Sequence, residues 1–224
     1  MSQLPASRVV LLCGPSGSGK TRLAHHCGYP VLHLDDFYKE AGDPTLPLLP
    51  DGRSVDWDAP ESWDAKAAVD AIASLALTGR AEIPVYDIST SARTGTAVVR
   101  TDGAHVFVAE GIFAAEIIGR CRELGVLADA LCLRGRPGTT FRRRLVRDLR
   151  ERRKPPAVLV RRGWRLMRAE REIVARQTAL GAHPCSGDEA LRRIAAAARA
   201  RPGLPGQCPA GRPGTLAGTE AKRA

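Results

Sequence analysis

Short apolar runs recur along the chain, each closed by glycine or acidic residues, and stretches of helical periodicity lie between them. Arg8–Cys13 (RVVLLC) is apolar at every position after the first, which predicts a buried strand. A glycine-rich turn, Gly14–Thr21, follows, and Lys20–Cys27 begins a helix. Val31–Leu34 predicts a second strand, ending at Asp35-Asp36. The Pro-, Gly- and Asp-rich stretch Gly42–Asp58 is loop. Pro60–Thr78 carries Ala68, Ile72 and Leu75 at helical spacing, with acids in its first turn. Ile83–Ile88 and Thr96–Arg100 flank STSARTG and predict a hairpin with a long turn. Ala104–Ala109 is a third buried strand closed by Glu110-Gly111, Ile112–Leu124 a helix, and Leu127–Leu133 a fourth strand. Beyond it, Phe141, Leu145 and Leu149 form one helical stripe, which Pro155-Pro156 ends. Val160, Trp164, Met167 and Val174 align on another helix. HPCSGDEALRRI reads as loop and helix, with Asp188–Ala200 helical and no final strand. Strands alternating with helices predict a parallel, doubly wound α/β sheet.

Composition narrows this picture. At 224 residues, the chain predicts one domain over 1–200, followed by a Pro/Gly-rich tail (201–224) that cannot bury a core and reads as disordered. No apolar run reaches the ~20 residues of a membrane span, and MSQLPASRVVLLCG does not read as a signal peptide. The expectation is a cytoplasmic protein with no membrane partner. Six scattered cysteines, from Cys13 to Cys208, form no CxxC pair and predict reduced, mostly buried thiols.

The net charge of +10 is concentrated in one place. Arg134–Arg176 holds 15 Arg and one Lys against four acids, so the rest of the chain is slightly acidic. Asp35–Asp64 holds nine acids against Lys39 and Arg53. A basic segment of this kind suits a nucleic-acid face or a cationic lid over a polyphosphate.

Gly14-Pro15-Ser16-Gly17-Ser18-Gly19-Lys20-Thr21 satisfies G-x-x-x-x-G-K-[ST], between a predicted strand and a predicted helix. In such a loop, backbone N–H groups cradle phosphates, the lysine reaches the β- and γ-phosphates, and the threonine hydroxyl ligates Mg²⁺. ATP and Mg²⁺ are the cofactors it predicts. Asp35 and Asp36 end a strand at the edge where open α/β sheets bind ligands. A carboxylate there can take the proton of an attacking hydroxyl. Glu110, at the end of VFVAEG, can hold the metal or its waters.

In order along the chain, GPSGSGKT, LDDFYK, VDWDAPESWD, IPVYDISTSARTG, VFVAEGIF and RRRLVRDLRERRK resemble the uridine/cytidine kinases. That group is related to phosphoribulokinase and pantothenate kinase. The likeness runs from Arg8 to about Lys154. It implies the P-loop three-layer sandwich with a substrate hairpin (83–101) and an Arg-rich helical lid (138–156). It implies Asp35 as base for a ribose 5′-hydroxyl and as a metal-associated acid. It also implies Asp58 on the 2′- and 3′-hydroxyls, Tyr86 beside the base, Tyr38 and Arg93 on the substrate side, and Glu110 near the metal. Arg144, Arg147, Arg152 and Lys154 match lid positions that close over the phosphates. Arg143, Arg147, Arg150 and Lys154 also share one helical face, opposite the apolar stripe.

Two pocket positions depart from that pattern. Ser91 stands where the family usually has a base-reading histidine, and Ile88 replaces an aromatic residue two positions after Tyr86. The five histidines (25, 26, 33, 105 and 183) lack ligand spacing and read as ordinary core or surface residues. The function expected is ATP-dependent phosphorylation of a nucleoside primary hydroxyl. The rivals are a kinase for another small alcohol, such as a vitamin or sugar derivative, and a non-catalytic regulatory or nucleic-acid-binding protein on the same fold. Oligomeric state is left open.

Overall fold

The computed structural model describes residues 5–134 and 170–200. The expected lid (138–156), with Arg144, Arg147, Arg152 and Lys154, and the expected tail (201–224) lie outside the described residues.

Five strands form a parallel sheet: β1 (Arg8–Cys13), β2 (Val31–His33), β5 (Val106–Glu110), β6 (Leu127–Leu133) and β7 (His183–Cys185). Their order is β2-β5-β1-β6-β7. Alternating side chains of the central strands feed two cores, so nearly every position is apolar. On one face Val9, Leu11 and Phe107 pack against Ile72 and Leu75 of α2 (Ala65–Thr78) and Ile118 of α3 (Ile118–Glu123). On the other, Val10, Leu12 and Val108 pack against Leu23 of α1 (Lys20–His26) and Ile194 of α5 (Gly187–Arg199). The result is the expected three-layer sandwich. A helix over 170–179, called α4, joins the α2/α3 side through Val174. No helix among the described residues is long and apolar enough to cross a membrane. Cys13, Cys27, Cys121, Cys132 and Cys185 are free thiols, all but Cys27 buried.

A separate antiparallel hairpin comprises β3 (Arg80–Asp87) and β4 (Ala92–Arg100). It is longer than the sequence predicts: STSARTG is not all turn, because Ala92–Gly95 continue the ladder. Only Ile88–Ser91 form the connection, and Ser91 takes a left-handed conformation there (φ 50°). Asp35 and Asp36 sit in a 3₁₀ turn, Leu34–Phe37, rather than directly on a strand end. The helix expected from Ile112 begins as a 3₁₀ turn at Ala114–Ile117 and becomes α-helical at Ile118.

The main correction is β7. His183–Cys185 is a strand, paired in parallel with Leu131–Leu133. Three residues containing a proline carry no legible periodicity, and a proline is tolerated on a sheet edge because its missing N–H can face outward. The strand is specified by its neighbour β6 and by Cys185, which is fully buried.

Candidate active site

The strand register brings the chemistry to one edge. Leu12 of β1 and His33 of β2 both pair with Glu110, the last residue of β5, and Cys13 pairs with Cys132. The loop after β1, the turn after β2 and the end of β5 therefore emerge side by side. Gly14 starts the loop at φ 139°, and a Cβ there would lie 2.6 Å from the Leu133 carbonyl oxygen. Only glycine lets the backbone turn so close to β6.

Lys20 folds back over this loop. Its Nζ donates to the carbonyls of Gly14 (2.9 Å) and Pro15 (3.2 Å). Burial pulls its pKa below the ordinary lysine value, opposed by the charges of Glu110 and Asp35. The Thr21 hydroxyl donates to Glu110 Oε1 at 2.9 Å, and His33 Nδ1 meets the same oxygen at 2.9 Å. Burial would raise the Glu110 pKa, but the hydrogen bonds of His33 and Thr21 and the charge of Lys20 hold it below the usual range. His33 is correspondingly raised by its bond to Glu110. It is thus a partner of the site and not the ordinary histidine that its spacing suggests. Ser18 Oγ is buried with no hydrogen-bond partner among the described residues.

Asp35 lies within the same field. Burial, then the Glu110 charge, raise its pKa, while Lys20 and the Ile112 N–H lower it. The closeness of this turn to β5 explains Gly111. A Cβ there would sit 2.8 Å from Leu34 Cβ and 3.3 Å from Asp35 Oδ1. Asp36 has a different contact: its Oδ1 accepts from the Tyr86 N–H at 3.3 Å and ties the turn to the hairpin.

Tyr38 packs against Trp57, Tyr86 and Phe113 at ring separations of 6.1, 5.8 and 5.9 Å. Burial raises its pKa, helped by the charges of Asp35 and Asp58. The Tyr86 hydroxyl donates to the Lys39 carbonyl at 3.1 Å. The Arg93 guanidinium approaches Asp64 at 3.8 Å, and its backbone N–H donates to Glu40. Ser91 is in the hairpin connection, its side chain within hydrogen-bonding reach of Tyr86. Ile88 is 73% exposed.

Residues of the loop border two cavities. One, of about 360 Å³, is walled by Pro15, Ser16 and Asp58 together with Ile112, Phe113 and Gln177. The other, of about 620 Å³, is walled by Ser18, Gly19, Arg22, His26, Arg134 and the turn Ser186–Asp188. Asp58 thus shares a cavity wall with the loop, while Tyr38, Tyr86, Ser91 and Arg93 do not wall that cavity. Sequence reading named Ser18 and Gly19 in the second cavity's wall but missed Arg22, His26, Arg134 and the turn Ser186–Asp188. One signal was present: Ser186 followed by Glu189 is an N-capping pattern, and the Ser186 hydroxyl accepts from the Glu189 N–H. Gln177 and Ile112 carried no such signal.

The residues fit a nucleoside triphosphate with Mg²⁺. A lysine bonded to loop carbonyls, a buried partnerless hydroxyl on Ser18 and the Thr21–Glu110 pair are all groups that phosphate and metal could engage. No cluster of three His, Cys, Asp or Glu among the described residues could hold a metal alone. Mg²⁺ bound through phosphates needs only one or two protein oxygens.

No protein-family model matches the chain, and no curated protein matches it in sequence. Solved structures do match. A provisionally assigned fructose transport system kinase from Silicibacter sp. TM1040 aligns at 21% identity and TM-score 0.56, covering 78% of this chain and 87% of its own. A provisionally assigned uridine kinase from Bacillus stearothermophilus aligns at 20% identity and TM-score 0.41, covering 60% and 74%. The first likeness, the strand order and the loop at the end of β1 agree: this chain has the P-loop kinase fold.

Proposed function

We propose that the protein is an ATP- and Mg²⁺-dependent kinase that phosphorylates a primary hydroxyl of a small nucleoside-like acceptor, in the manner of uridine kinases. The observation that carries this reading is the convergence of Lys20, Asp35 and Glu110 at one sheet edge, beside a phosphate loop whose residues border two cavities. The larger cavity suits the nucleoside part of ATP, and Gly14, Ser16, Gly17, Ser18, Gly19 and Thr21 line the path of its phosphates. The smaller suits the acceptor, with Asp58 accepting hydrogen bonds from a diol. Bound Mg²⁺ would neutralise charge on the phosphate oxygens, held by Thr21 with Glu110 and Asp35 beside it.

The chain's own part follows from the geometry. Lys20 exchanges two carbonyl bonds for phosphate oxygens, which offsets the cost of keeping an ammonium buried. Asp35 orients the acceptor hydroxyl and takes its proton. A raised pKa suits a base that must accept a proton during transfer. Tyr38, Tyr86 and Arg93 shape the acceptor side. Arg147, with Arg144, Arg152 and Lys154, closes from the lid and stabilises the transferring phosphoryl.

A second acceptor class, a sugar or its derivative, is favoured by the hairpin. Exposed Ile88 and turn-bound Ser91 offer neither a stacking ring nor an imidazole to a base. The Silicibacter protein's name points the same way. A coupled ADP-release screen over nucleosides, sugars, pantothenate and their phosphates separates these readings. ADP release that no acceptor stimulates would leave the fold without the transfer.

A further inference from the structure

Gln177 lies on α4, one residue past the end of the basic segment, yet it reaches the sheet edge. It is 4% exposed. Its Nε2 donates to the Ile112 carbonyl at 2.8 Å, and its Oε1 accepts from Cys132 Sγ at 3.3 Å. The amide orientation is set by chemistry, because a carbonyl can only accept. On the opposite side of the same backbone, Leu34 and Asp35 press against Gly111, and the Ile112 N–H faces the Asp35 carboxylate. Ile112 is therefore held on both sides of its Cα, by Asp35 at its N–H and by Gln177 at its carbonyl, which belongs to the next peptide. The Gln177 amide is itself anchored to β6 through Cys132.

We infer that Gln177 is a positioning residue, which holds Asp35 in place through Ile112 and so couples α4 to the phosphoryl-transfer site. Gln177 also walls the acceptor cavity, but its amide is engaged by Ile112 and Cys132, so it acts through Ile112 rather than on the reacting atoms. It fixes the carbonyl of Ile112, the residue whose N–H faces the carboxylate and which walls the same cavity. A misplacement of about 1 Å at a reacting group costs up to roughly 100-fold in rate. Losing the clasp thus affects turnover before it affects nucleotide binding. This inference rests on the reading of Asp35 as the base.

The test uses Gln177→Met, which keeps the side chain's length and loses its donor and acceptor. Gln177→Asn, whose amide stops one methylene short, serves as a second variant. Amide hydrogen exchange on the free protein is expected to accelerate at Ile112 by about tenfold or more, with the amides of β5 unchanged. In the coupled assay, kcat is expected to fall roughly 10- to 100-fold, with the KM for ATP within about twofold. Added to Asp35→Asn, Gln177→Met is expected to cause no further loss, since it acts through that carboxylate. Unchanged Ile112 exchange in both variants, or a loss that multiplies that of Asp35→Asn, overturns the inference. If Asp35→Asn alone keeps full turnover while Ile112 exchange still accelerates, the base assignment fails and takes the coupling with it.

Discussion

Asp35 and Asp36 are adjacent acids with opposite circumstances. Asp35 stands at the sheet edge within the fields of Glu110 and Lys20, whereas Asp36 accepts a backbone bond from Tyr86. Asp35→Asn is expected to retain ATP binding and lose about 10²–10⁴-fold in transfer, the usual worth of a general base. Asp36→Asn keeps the Oδ1 acceptor and is expected to retain turnover. A dead Asp36→Asn beside an active Asp35→Asn, in the same assay, would reverse the assignment. Stability gives an independent check. The folded-state pKa of Asp35 is raised, so its ionised form costs stability at neutral pH, and the cost fades as pH falls through that pKa. Asp35→Asn should therefore melt above the parent at pH 7, and the difference should shrink toward pH 4 in thermal scans. Lys20→Ala removes the cation nearest the expected β/γ bridge. ATP at about 100 times its Kd should stabilise the parent by roughly 2.7 kcal/mol and leave Lys20→Ala much less stabilised.

At the scale of elements, the approach of β5 to the turn after β2 is set by one missing side chain. Gly111→Ala would put a Cβ 2.8 Å from Leu34 Cβ, so the turn carrying Asp35 must move. Overpacking of this kind costs about 1–3 kcal/mol. Each kcal/mol lowers the melting point by about 2–4 °C in a domain of this size. Loss of turnover at temperatures where Gly111→Ala remains folded would locate the damage at Asp35. On the proposed reading, the hairpin contributes to acceptor choice. With Ser91 and Ile88 at its tip, discrimination between uridine and a simple sugar is expected to stay within about 200-fold, the range of a roomy pocket. Ser91→His should raise the kcat/KM ratio toward uridine. A strong uridine preference in the parent, undiminished beside Ser91→His, would show that other residues read the base.

For the whole molecule, the asymmetry of charge matters most. The excess positive charge lies in Arg134–Arg176, while the rest of the chain is slightly acidic. If that segment serves the phosphate site as proposed, its charge raises the encounter rate of an anionic nucleotide, an effect that salt screens over about 8–10 Å. The kcat/KM for ATP is therefore expected to fall as ionic strength rises, more steeply than that for an uncharged acceptor. Equal salt dependence for both substrates would remove steering as the segment's role.

Much of this architecture was legible before folding. A strand buried on both faces must be apolar at consecutive positions, so β1, β5 and β6 announced themselves within a residue or so. A phosphate loop demands glycines and a lysine at fixed spacing, so Gly14–Thr21 did too. Lys20, Asp35, Asp58 and Glu110 could be nominated because their positions at strand ends or in motifs are local. Other features depended on distant partners. β7 is a strand because β6 lies beside it, not because of its own three residues. His33 joins the site only because β2 pairs with β5 in the register that places it on Glu110. Gln177 meets Ile112 across 65 positions. Which of two adjacent acids stands beside Glu110 and Lys20, and which ties the turn to the hairpin, was likewise decided in three dimensions. Local periodicity encodes the burial of a segment, whereas hydrogen-bond partners and electric fields depend on what the chain brings alongside it.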